Sequence, residues 1–278
     1  MRIYLVLILI ASAYACGSKV APKPEVRLYA IDCGTIEVSD IAPFDDKGRL
    51  DRKSEVLANP CFLIKHGERY MIWDTGHPSS IADLPDGVGG GGFHSKLETK
   101  LPDRLAKINL KPLDIDFLAL SHHHPDHAGN ANLFSSATWL AVSAERDHMF
   151  SDDLRRNPDF FDNYSELEDA KIESADEIHD VFGNGSVVMF STPGHTPGHS
   201  VLLVRLRNAG SILLTGDLFT HSKAREMGTI PKFTMDKKQL VESRKRFEEI
   251  AKKEDARVIT QHSKKDFDSL PKFPAYLD

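Results

Sequence analysis

Short apolar runs rich in β-branched residues, separated by polar and glycine-containing turns, recur along the chain from residue 25 onward. Such runs predict β-strands at residues 27–33, 61–65, 70–73, 117–120, 138–142, 187–191, 201–206, 211–214 and 257–260. Helical periodicity predicts helices at 103–108, 144–150 and 239–253, the last with one apolar face formed by Leu240, Phe247, Ile250 and Ala251. Strands interspersed with helices indicate one α/β domain over residues 25–278, with its sheets covered by helices.

Two polar segments, at residues 39–55 and 79–95, interrupt this pattern and are expected to be irregular. The second contains four successive glycines, at positions 89–92, followed by Phe93. Such a run places almost no restraint on the backbone. The segment is therefore either a solvated loop or a mobile flap that carries Phe93 over a binding site.

The first 15 residues have the pattern of an export signal. Arg2 precedes an apolar run that is too short to span a bilayer, and residues 13–15 match an A-x-A cleavage site. Cleavage there would release a soluble secreted protein. Alternatively, Cys16 resembles the lipidated cysteine of a bacterial lipoprotein, with residues 16–24 as a linker and a membrane tether. We expect an exported protein, either periplasmic or lipid-anchored at a bacterial envelope membrane.

Composition and cysteine content add two expectations. The chain is 41% hydrophobic and 27% charged with a net charge of −6, which excludes a fibrous or largely disordered protein and weighs against a nucleic-acid partner. If Cys16 is lipidated, Cys33 and Cys61 remain, and they could pair in an oxidising compartment. Because both lie in apolar strand-like runs, we expect two buried free thiols instead.

Seven histidine and aspartate residues occur where a predicted strand gives way to a loop. The strand at 117–120 leads into H-x-H-x-D-H at 122–127, and further candidates follow the strands at 187–191, 211–214 and 257–260. Because α/β proteins build sites at strand ends, these side chains can converge. Imidazole and carboxylate ligands suit Zn²⁺ and also Fe, Mn or Co. The candidate metal ligands are His122, His124, Asp126, His127, His195, Asp217 and His262.

These motifs resemble those of the metallo-β-lactamase superfamily. H-x-H-x-D-H is followed by T-P-G-H-T-P-G-H at 192–199, T-G-D at 215–217 and a late histidine, and D-T-G at 74–76 precedes them. The resemblance implies a four-layer αββα sandwich with two divalent metal ions at one edge between the sheets. It also implies a ligand set for each ion, bridged by Asp217: His122, His124 and His195 for the first, and Asp126, His127 and His262 for the second.

The resemblance further implies how the site would work. Asp74 and His199 would support the ligands from behind, while His123 occupies a variable position of the motif. Two ions that share a water lower its pKa enough to leave hydroxide at neutral pH. This metal-bridging hydroxide would attack a carbonyl carbon, and Asp126 would pass a proton to the leaving oxygen. No serine or cysteine nucleophile is needed.

Within the superfamily the chain most resembles the N-acyl-homoserine lactone lactonases. D-I-D and an apolar run at 114–120 precede the H-x-H-x-D-H loop, as in that branch. The true β-lactamases have no bridging aspartate at the position of Asp217. Only 16 residues follow His262, and the lactonases also end shortly after their last histidine. Thr220 departs from the branch, which carries there a tyrosine that contacts the substrate carbonyl. The resemblance implies opening of an acyl-homoserine or related lactone ring. Alternatives are a β-lactamase-like amidase or esterase, a phosphoester hydrolase, and a metal-binding protein without catalysis.

Overall fold

The computed structural model describes residues 25–278. The predicted export signal, the linker and Cys16 lie outside the described residues. Within residues 25–278, no helix has both the length and the apolar character needed to cross a bilayer.

The strands form two mixed sheets. The first has the order β4-β5-β1-β2-β3-β6-β7-β8 and the second β13-β12-β11-β10-β9. Strands of the first sheet are β1 (Val26–Val38), β2 (Glu55–His66), β3 (Arg69–Trp73), β4 (Val88–Gly90), β5 (Phe93–Lys96), β6 (Phe117–Ala119), β7 (Thr138–Ala141) and β8 (Ile172–Ser174). Strands of the second are β9 (Ile178–Asp180), β10 (Val187–Ser191), β11 (Ser200–Arg205), β12 (Ser211–Leu214) and β13 (Arg257–Ile259).

Eight helices lie within residues 25–278, and most of them cover the outer faces of the two sheets, whereas the last packs Phe267 against the apolar cluster between the sheets. They are α1 (Leu101–Ala106), α2 (Pro125–Ala128), α3 (Ser143–Met149), α4 (Asp152–Arg155), α5 (Pro158–Phe161), α6 (Ala224–Met227), α7 (Lys237–Lys253) and α8 (Lys264–Asp268). Short 3₁₀ turns lie at Ala42–Phe44, Ser79–Asp83, Pro112–Asp114, Ala131–Phe134, Ser165–Asp169 and Gly216–Leu218. The Asp236 side chain caps α7 by accepting hydrogen bonds from the amides of Lys238 and Gln239, so the helix begins two residues before the predicted start.

Three apolar clusters define the four layers. Phe62 and Trp73 of the first sheet pack against Met189 and Leu202 of the second, between the sheets. Alternate residues of β2, such as Leu63, point outward and pack beneath α1 and α3. The other face of the second sheet packs against α7. Both faces of the central strands are therefore buried, which explains their continuous apolar runs and confirms the predicted αββα sandwich.

The sequence suggested that residues 79–95 are irregular. The structure shows instead that this segment contains a β-hairpin. Gly91 and Gly92, with φ of +58° and +89°, form the two-residue turn between β4 and β5. Two successive positive φ angles match the twist of a tight hairpin, and glycine adopts them without steric cost. β5 pairs with β1, so Phe93 lies opposite Val38 on a strand attached to the sheet.

The expectation of two free thiols is wrong, because Cys33 and Cys61 form a disulfide. β1 and β2 are antiparallel, and a register shift between Asp32 and Thr35 places Cys33 in a bulge. The two Cα atoms are 5.8 Å apart, within the usual range for a disulfide. The pairing depends on strand register, which the separate apolar runs do not reveal.

Candidate metal centre

The seven predicted ligands converge in two groups at one edge of the sandwich. The first group consists of His122, His124, His195 and Asp217, and the second of Asp126, His127 and His262. In each group the ligand atoms lie within 4.8 Å of one another. The side chains come from segments that follow β6, β10, β12 and β13, so the ends of both sheets contribute to the site.

Local backbone conformation directs the ligands of the H-x-H-x-D-H motif to the two groups. His124 is extended, with φ −61° and ψ 148°, and is the N-cap of α2, which begins at Pro125. The change from extended to helical backbone separates His122 and His124 from Asp126 and His127. Proline suits this first helical position because its fixed φ is compatible with a helix and its missing N–H is not needed there.

Asp217 lies between the two groups. Its Oδ2 atom is 3.4 Å from His195 Nε2 and 3.9 Å from His122 Nε2. Its Oδ1 atom is 2.9 Å from His262 Nε2 and 3.4 Å from His127 Nε2. One carboxylate oxygen therefore faces each group. The preceding Gly216 has φ +47°, and a Cβ there would lie 2.8 Å from both His199 Nε2 and Ser121 Cβ, so the turn requires glycine.

The hydrogen bonds behind the second group show that it suits a cation. His262 Nδ1 donates to the Ala58 carbonyl at 2.8 Å, and His127 Nδ1 donates to Asp74 Oδ2 at 2.9 Å. In the neutral imidazoles these contacts put the protons on Nδ1. The two Nε2 lone pairs then face each other at 3.3 Å, beside the carboxylates of Asp126 and Asp217. A positive ion among these atoms would relieve their repulsion.

The spacing of the ligand atoms fits tetrahedral coordination. Two ligands at about 2.0–2.1 Å from a zinc ion and at the tetrahedral angle lie about 3.3–3.4 Å apart. In the first group, His124 Nδ1 is 2.9 Å from His122 Nε2 and 3.2 Å from His195 Nε2. In the second, Asp126 Oδ2 is 3.4 Å from His127 Nε2 and 3.5 Å from His262 Nε2. The cluster therefore indicates a dinuclear metal site.

Burial and charge set the protonation of the metal-free site. Burial lowers the pKa of His122 and His195 well below the usual range and brings that of His124 to about 4. These imidazoles are neutral and can offer lone pairs. Burial also lowers the pKa of His127, but the carboxylates of Asp126 and Asp217 outweigh this effect and raise it. Without ions, protons therefore concentrate on the second group.

Asp74 and His199 lie directly behind the candidate ligands. Asp74 Oδ1 accepts from the Ser121 amide at 2.6 Å, while Oδ2 accepts from Ser121 Oγ at 2.9 Å as well as from His127. His199 Nε2 accepts from the Asp217 amide at 2.9 Å, and Thr192 Oγ1 contacts its Nδ1 at 2.9 Å. Asp74 thus orients an imidazole, and His199 holds the backbone of the central carboxylate.

A cavity of about 870 Å³ opens onto the ligands. Its polar end includes His124, Asp126, Asp217 and His262, and the Asp126 side chain is 20% exposed. Its wall is mainly apolar and includes Ile36, Phe44, Leu57, Ile81, Leu84, Val88, Phe93, Phe160 and Phe233. The site therefore suits a ligand with one polar end and one apolar end.

Phe93 and Thr220, which the sequence singled out, and two further histidines near them in sequence occupy different positions. Phe93 lines the cavity and is 42% exposed. Thr220 is buried, lies outside the residues that line the cavity, and its hydroxyl makes no hydrogen bond within residues 25–278. His221 is buried behind Phe44 and bonds Thr229 Oγ1 at 2.9 Å. His94 contacts Glu37 at the surface.

Sequence reasoning missed several residues around the site. His77 and Phe233 line the cavity, and Asn59 Nδ2 donates to the Asp126 carbonyl at 2.9 Å. His77 directly follows the D-T-G motif, which was the only local signal for it. Phe44 and Phe233 belong to polar segments with no periodicity, and only the folded chain reveals their location.

The comparisons with known proteins define the class. A sequence model of the metallo-beta-lactamase superfamily matches residues 55–262, and the chain belongs to this superfamily. N-acyl homoserine lactonase AttM from Rhizobium radiobacter is 28% identical over 263 residues, which cover 91% of this chain and 98% of the relative. N-acyl homoserine lactonase AiiA from Bacillus thuringiensis subsp. kurstaki is 27% identical over 224 residues, or 78% of this chain and 86% of the relative.

Solved structures share the fold. An N-acyl homoserine lactone hydrolase with N-hexanoyl-L-homoserine at its catalytic metal centre has a TM-score of 0.77 and 24% identity, covering 92% of this chain and 100% of that chain. AidC, a dizinc quorum-quenching lactonase with the same product, has a TM-score of 0.62 and 19% identity, covering 92% of this chain and 90% of that chain. The likeness extends over nearly all of the described residues.

Proposed function

We propose that this protein is a dinuclear metal-dependent hydrolase that opens the lactone ring of N-acyl-homoserine lactones. The observation that carries the proposal is a cavity with the candidate ligands at its polar end and an apolar wall leading away from them. N-acyl-homoserine lactones have the same division between a polar ring and an apolar chain. The similarity to AttM over 98% of that lactonase supports the same substrate class.

The proposed cofactor is a pair of Zn²⁺ ions. Imidazole and carboxylate ligands favour zinc, although Fe, Mn or Co also accept such sites, and AidC is a dizinc enzyme. When bound, two such ions supply an activated water at neutral pH and polarise a carbonyl group. His122, His124 and His195 would hold one ion, Asp126, His127 and His262 the other, and Asp217 would contact both.

Asp126 is the group of this chain that we assign to proton transfer. Its backbone carbonyl accepts from Asn59 Nδ2, which fixes the residue, while its carboxylate borders the cavity. His262 and His127 outweigh the effect of burial and hold the pKa of this carboxyl well below its usual range. Asp126 is therefore ionised in the metal-free protein. Because its carboxylate borders the cavity, we assign to it the transfer of the proton of the attacking water to the departing oxygen of the ring.

The aromatic wall would receive the acyl chain. The Phe44 ring lies 6.1 Å from that of Phe93 and 5.3 Å from that of Phe233, measured between centroids. Phe93 and Phe233 are 42% and 44% exposed, so they offer apolar surface that a chain would remove from water. This arrangement favours substrates with extended acyl chains over short ones.

We further propose that the protein acts outside the cytoplasm, as a periplasmic or lipid-anchored enzyme. The signal-like residues 1–15 and the cysteine that follows them motivate this proposal. The disulfide between Cys33 and Cys61 supports it, because disulfides persist in oxidising compartments. Labelling of the expressed protein with a radioactive fatty acid, in wild type and in Cys16→Ser, distinguishes lipid anchoring from simple secretion.

The decisive experiment measures metal content and lactone hydrolysis in one preparation of the mature protein. Two ions per chain and proton release in a pH-stat with acyl-homoserine lactones of four to twelve acyl carbons are expected. Two ions without ring opening would refute the lactonase proposal and direct the search to β-lactams and phosphoesters. Fewer than two ions after reconstitution with excess Zn²⁺ would refute the dinuclear site.

A further inference from the structure

Glu145 is a buried carboxylate that lies outside the ligand set and receives four hydrogen bonds. Its Oε1 atom accepts from the His123 amide at 2.9 Å and from His123 Nδ1 at 2.6 Å. Its Oε2 atom accepts from Thr196 Oγ1 and from the Gly198 amide, both at 2.8 Å. The residue lies on α3 and is 4% exposed.

The four donors come from the two loops that carry the histidines of the first group. His123 stands between His122 and His124, and its side chain points away from the cavity towards Glu145. Thr196 directly follows His195, and Gly198 lies three residues after it. The Glu145 carboxylate therefore connects two loops that are distant in sequence, since His124 and His195 are 71 residues apart.

The approach of the second loop to α3 is close. A Cβ at position 198 would lie 2.4 Å from the Glu145 amide nitrogen and 2.6 Å from its Cβ, so only glycine fits there. The loop is thus held against α3 by packing as well as by hydrogen bonds. A shift of Glu145 would be transmitted to His195 because the intervening backbone has little room to adjust.

The donor pattern requires a carboxylate. Both oxygens act as acceptors for N–H and O–H groups, whereas a glutamine would place an amide donor against two of these donors. Burial raises the pKa of Glu145. The hydrogen bond and charge of His123, together with the hydrogen bonds from Thr196 and Gly198, outweigh the effect of burial and bring the pKa to about 2. The side chain is therefore ionised throughout the neutral range.

The second group is held by different contacts. Asp74 orients His127, and the Ala58 carbonyl orients His262. Neither contact involves Glu145 or His123. The Asp74 support reaches the first group only through Ser121, whose Oγ contacts both Asp74 Oδ2 at 2.9 Å and His122 Nδ1 at 3.1 Å. The contacts of Glu145 involve only the two loops of the first group, so its loss can be distinguished from damage to the second group.

We propose that Glu145 is a positioning residue for the first metal ion, setting His122 and His124 relative to His195 through His123, Thr196 and Gly198. The proposal rests on the dinuclear site of the proposed function. It gives a role to His123, at a position where the motif tolerates variation, and to a glutamate that provides no ligand. Loss of the carboxylate should loosen the first group and leave the second intact.

The test is Zn²⁺ titration of metal-free Glu145→Gln protein, with histidines labelled with ¹⁵N and observed by NMR. The His122, His124 and His195 signals report the first group, and those of His127 and His262 the second. We expect Zn²⁺ affinity to fall about 10- to 100-fold at the first group, the usual effect of losing a supporting contact, and to stay within about two-fold at the second.

Glu254→Gln is the matched control. Glu254 is bonded through both oxygens to Arg205 at 2.8 and 2.9 Å, and neither residue lines the cavity. This variant should bind both ions as wild type does. If Glu145→Gln also binds both ions with wild-type affinity, or weakens both groups equally, the positioning role is refuted.

Thr196→Val provides a milder test that keeps the inference falsifiable if Glu145→Gln does not fold. It removes one of the four donors while preserving side-chain shape, and we expect a loss of about 3- to 10-fold confined to the first group. Wild-type affinity at the first group in a folded Thr196→Val protein would overturn the proposal. Failure of the wild-type protein to bind two ions would instead refute the dinuclear site itself.

Discussion

Asp217 and His262 approach each other more closely than any other carboxylate and imidazole of the two ligand groups, with 2.9 Å between Oδ1 and Nε2. The ring of His262 is fixed from behind by the Ala58 carbonyl, and Asp217 is fixed through its amide by His199. The ring of His262 and the backbone of Asp217 are thus both held in place. The pair therefore defines where an ion of the second group would lie and makes Asp217 the element that couples this group to the first.

Replacement of Asp217 by asparagine should separate the two groups. The amide nitrogen cannot serve as a ligand, so one of the two contacts is lost while side-chain shape is retained. We expect less than two ions per chain and a fall in kcat/KM for lactones on the order of 100-fold or more. Metal analysis and pH-stat assays check this. Asp180→Asn, at the surface end of β9 where Asp180 accepts from Gly183 and Gly185, is the control. Two tightly bound ions with unchanged turnover would contradict the assignment.

Asp74→Asn should weaken the second ion more than the first, because Asp74 bonds His127 directly and reaches His122 only through Ser121. Asp74 accepts from Ser121 and His127, and an amide group would face at least one of these donors with its own N–H. We expect roughly 10- to 100-fold weaker Zn²⁺ binding at His127 and His262. Competition with a chelator measures the affinity. Because Glu145→Gln is expected to lower Zn²⁺ affinity mainly at the first group, the two variants serve as controls for each other. The same loss of affinity at the same group in both variants would contradict both predictions.

Phe93→Ala should change acyl-chain preference. A half-exposed aromatic ring that covers an acyl chain contributes about 1–2 kcal/mol through apolar burial, so kcat/KM for a twelve-carbon acyl lactone should fall on the order of ten-fold. A four-carbon substrate should be affected less than about two-fold. Leu113→Ala, at a site 70% exposed and outside the cavity lining, is the control. Equal losses for both substrates would argue against an acyl-chain role for this ring.

The stabilisation provided by Glu145 should depend on pH. The pKa of Glu145 is about 2 in the folded protein against an ordinary value of 4.5, so its contribution is fully present above pH 4.5 and is lost as pH falls towards 2. Metal-free wild type should therefore exceed Glu145→Gln in free energy of unfolding by at most on the order of 3 kcal/mol near pH 6. Urea denaturation between pH 6 and pH 3 should show this difference shrinking; a constant difference would contradict the shift.

Removal of the disulfide should cost stability and disturb the second group. The bridge closes a chain separation of 28 residues, for which the loss of unfolded-state entropy predicts roughly 3–4 kcal/mol. It also anchors β2 next to Ala58 and Asn59, which contact His262 and Asp126. The Cys33→Ser/Cys61→Ser variant should have a lower unfolding free energy and weaker binding of the second ion. Cys33→Ser alone, with a reductant present, should match it. Wild-type stability of the double variant would contradict the expectation.

The sequence predicted those features that depend on short-range pattern. All nine predicted strands exist. The candidate ligands could be picked out from the sequence because each comes after an apolar strand, and the structure brings them together in two groups. In contrast, β4, β8 and β9 are three residues long and largely exposed, so they carry no apolar signature. Each forms by pairing with the neighbouring strand in the chain order, β4 with β5, β8 with β7 and β9 with β10, and its own residues do not indicate this pairing.

The supporting contacts around the ligands were harder to predict because each joins remote segments. Glu145 meets His123 and Thr196 only after α3 packs across two loops, and nothing in the helix sequence indicates this. The disulfide similarly depends on the bulge in β1. The aromatic wall combines Phe44, Phe93 and Phe233 from three separate segments, none of which has a helical or strand periodicity that identifies its inner face.

The hydrogen bond from His262 to the Ala58 carbonyl spans 204 residues and has a consequence for the order of folding. The second group cannot assemble until β13, near the end of the chain, has joined β12 and met β2 near its beginning. Contacts of such large sequence separation form late because chain entropy opposes them. Metal binding is therefore expected to follow synthesis of nearly the whole domain. The ion of the second group would then stabilise the contact between β2 and the segment that follows β13. If the chain is exported in an unfolded state, as the proposed location implies, it would bind its ions in the compartment to which it is exported.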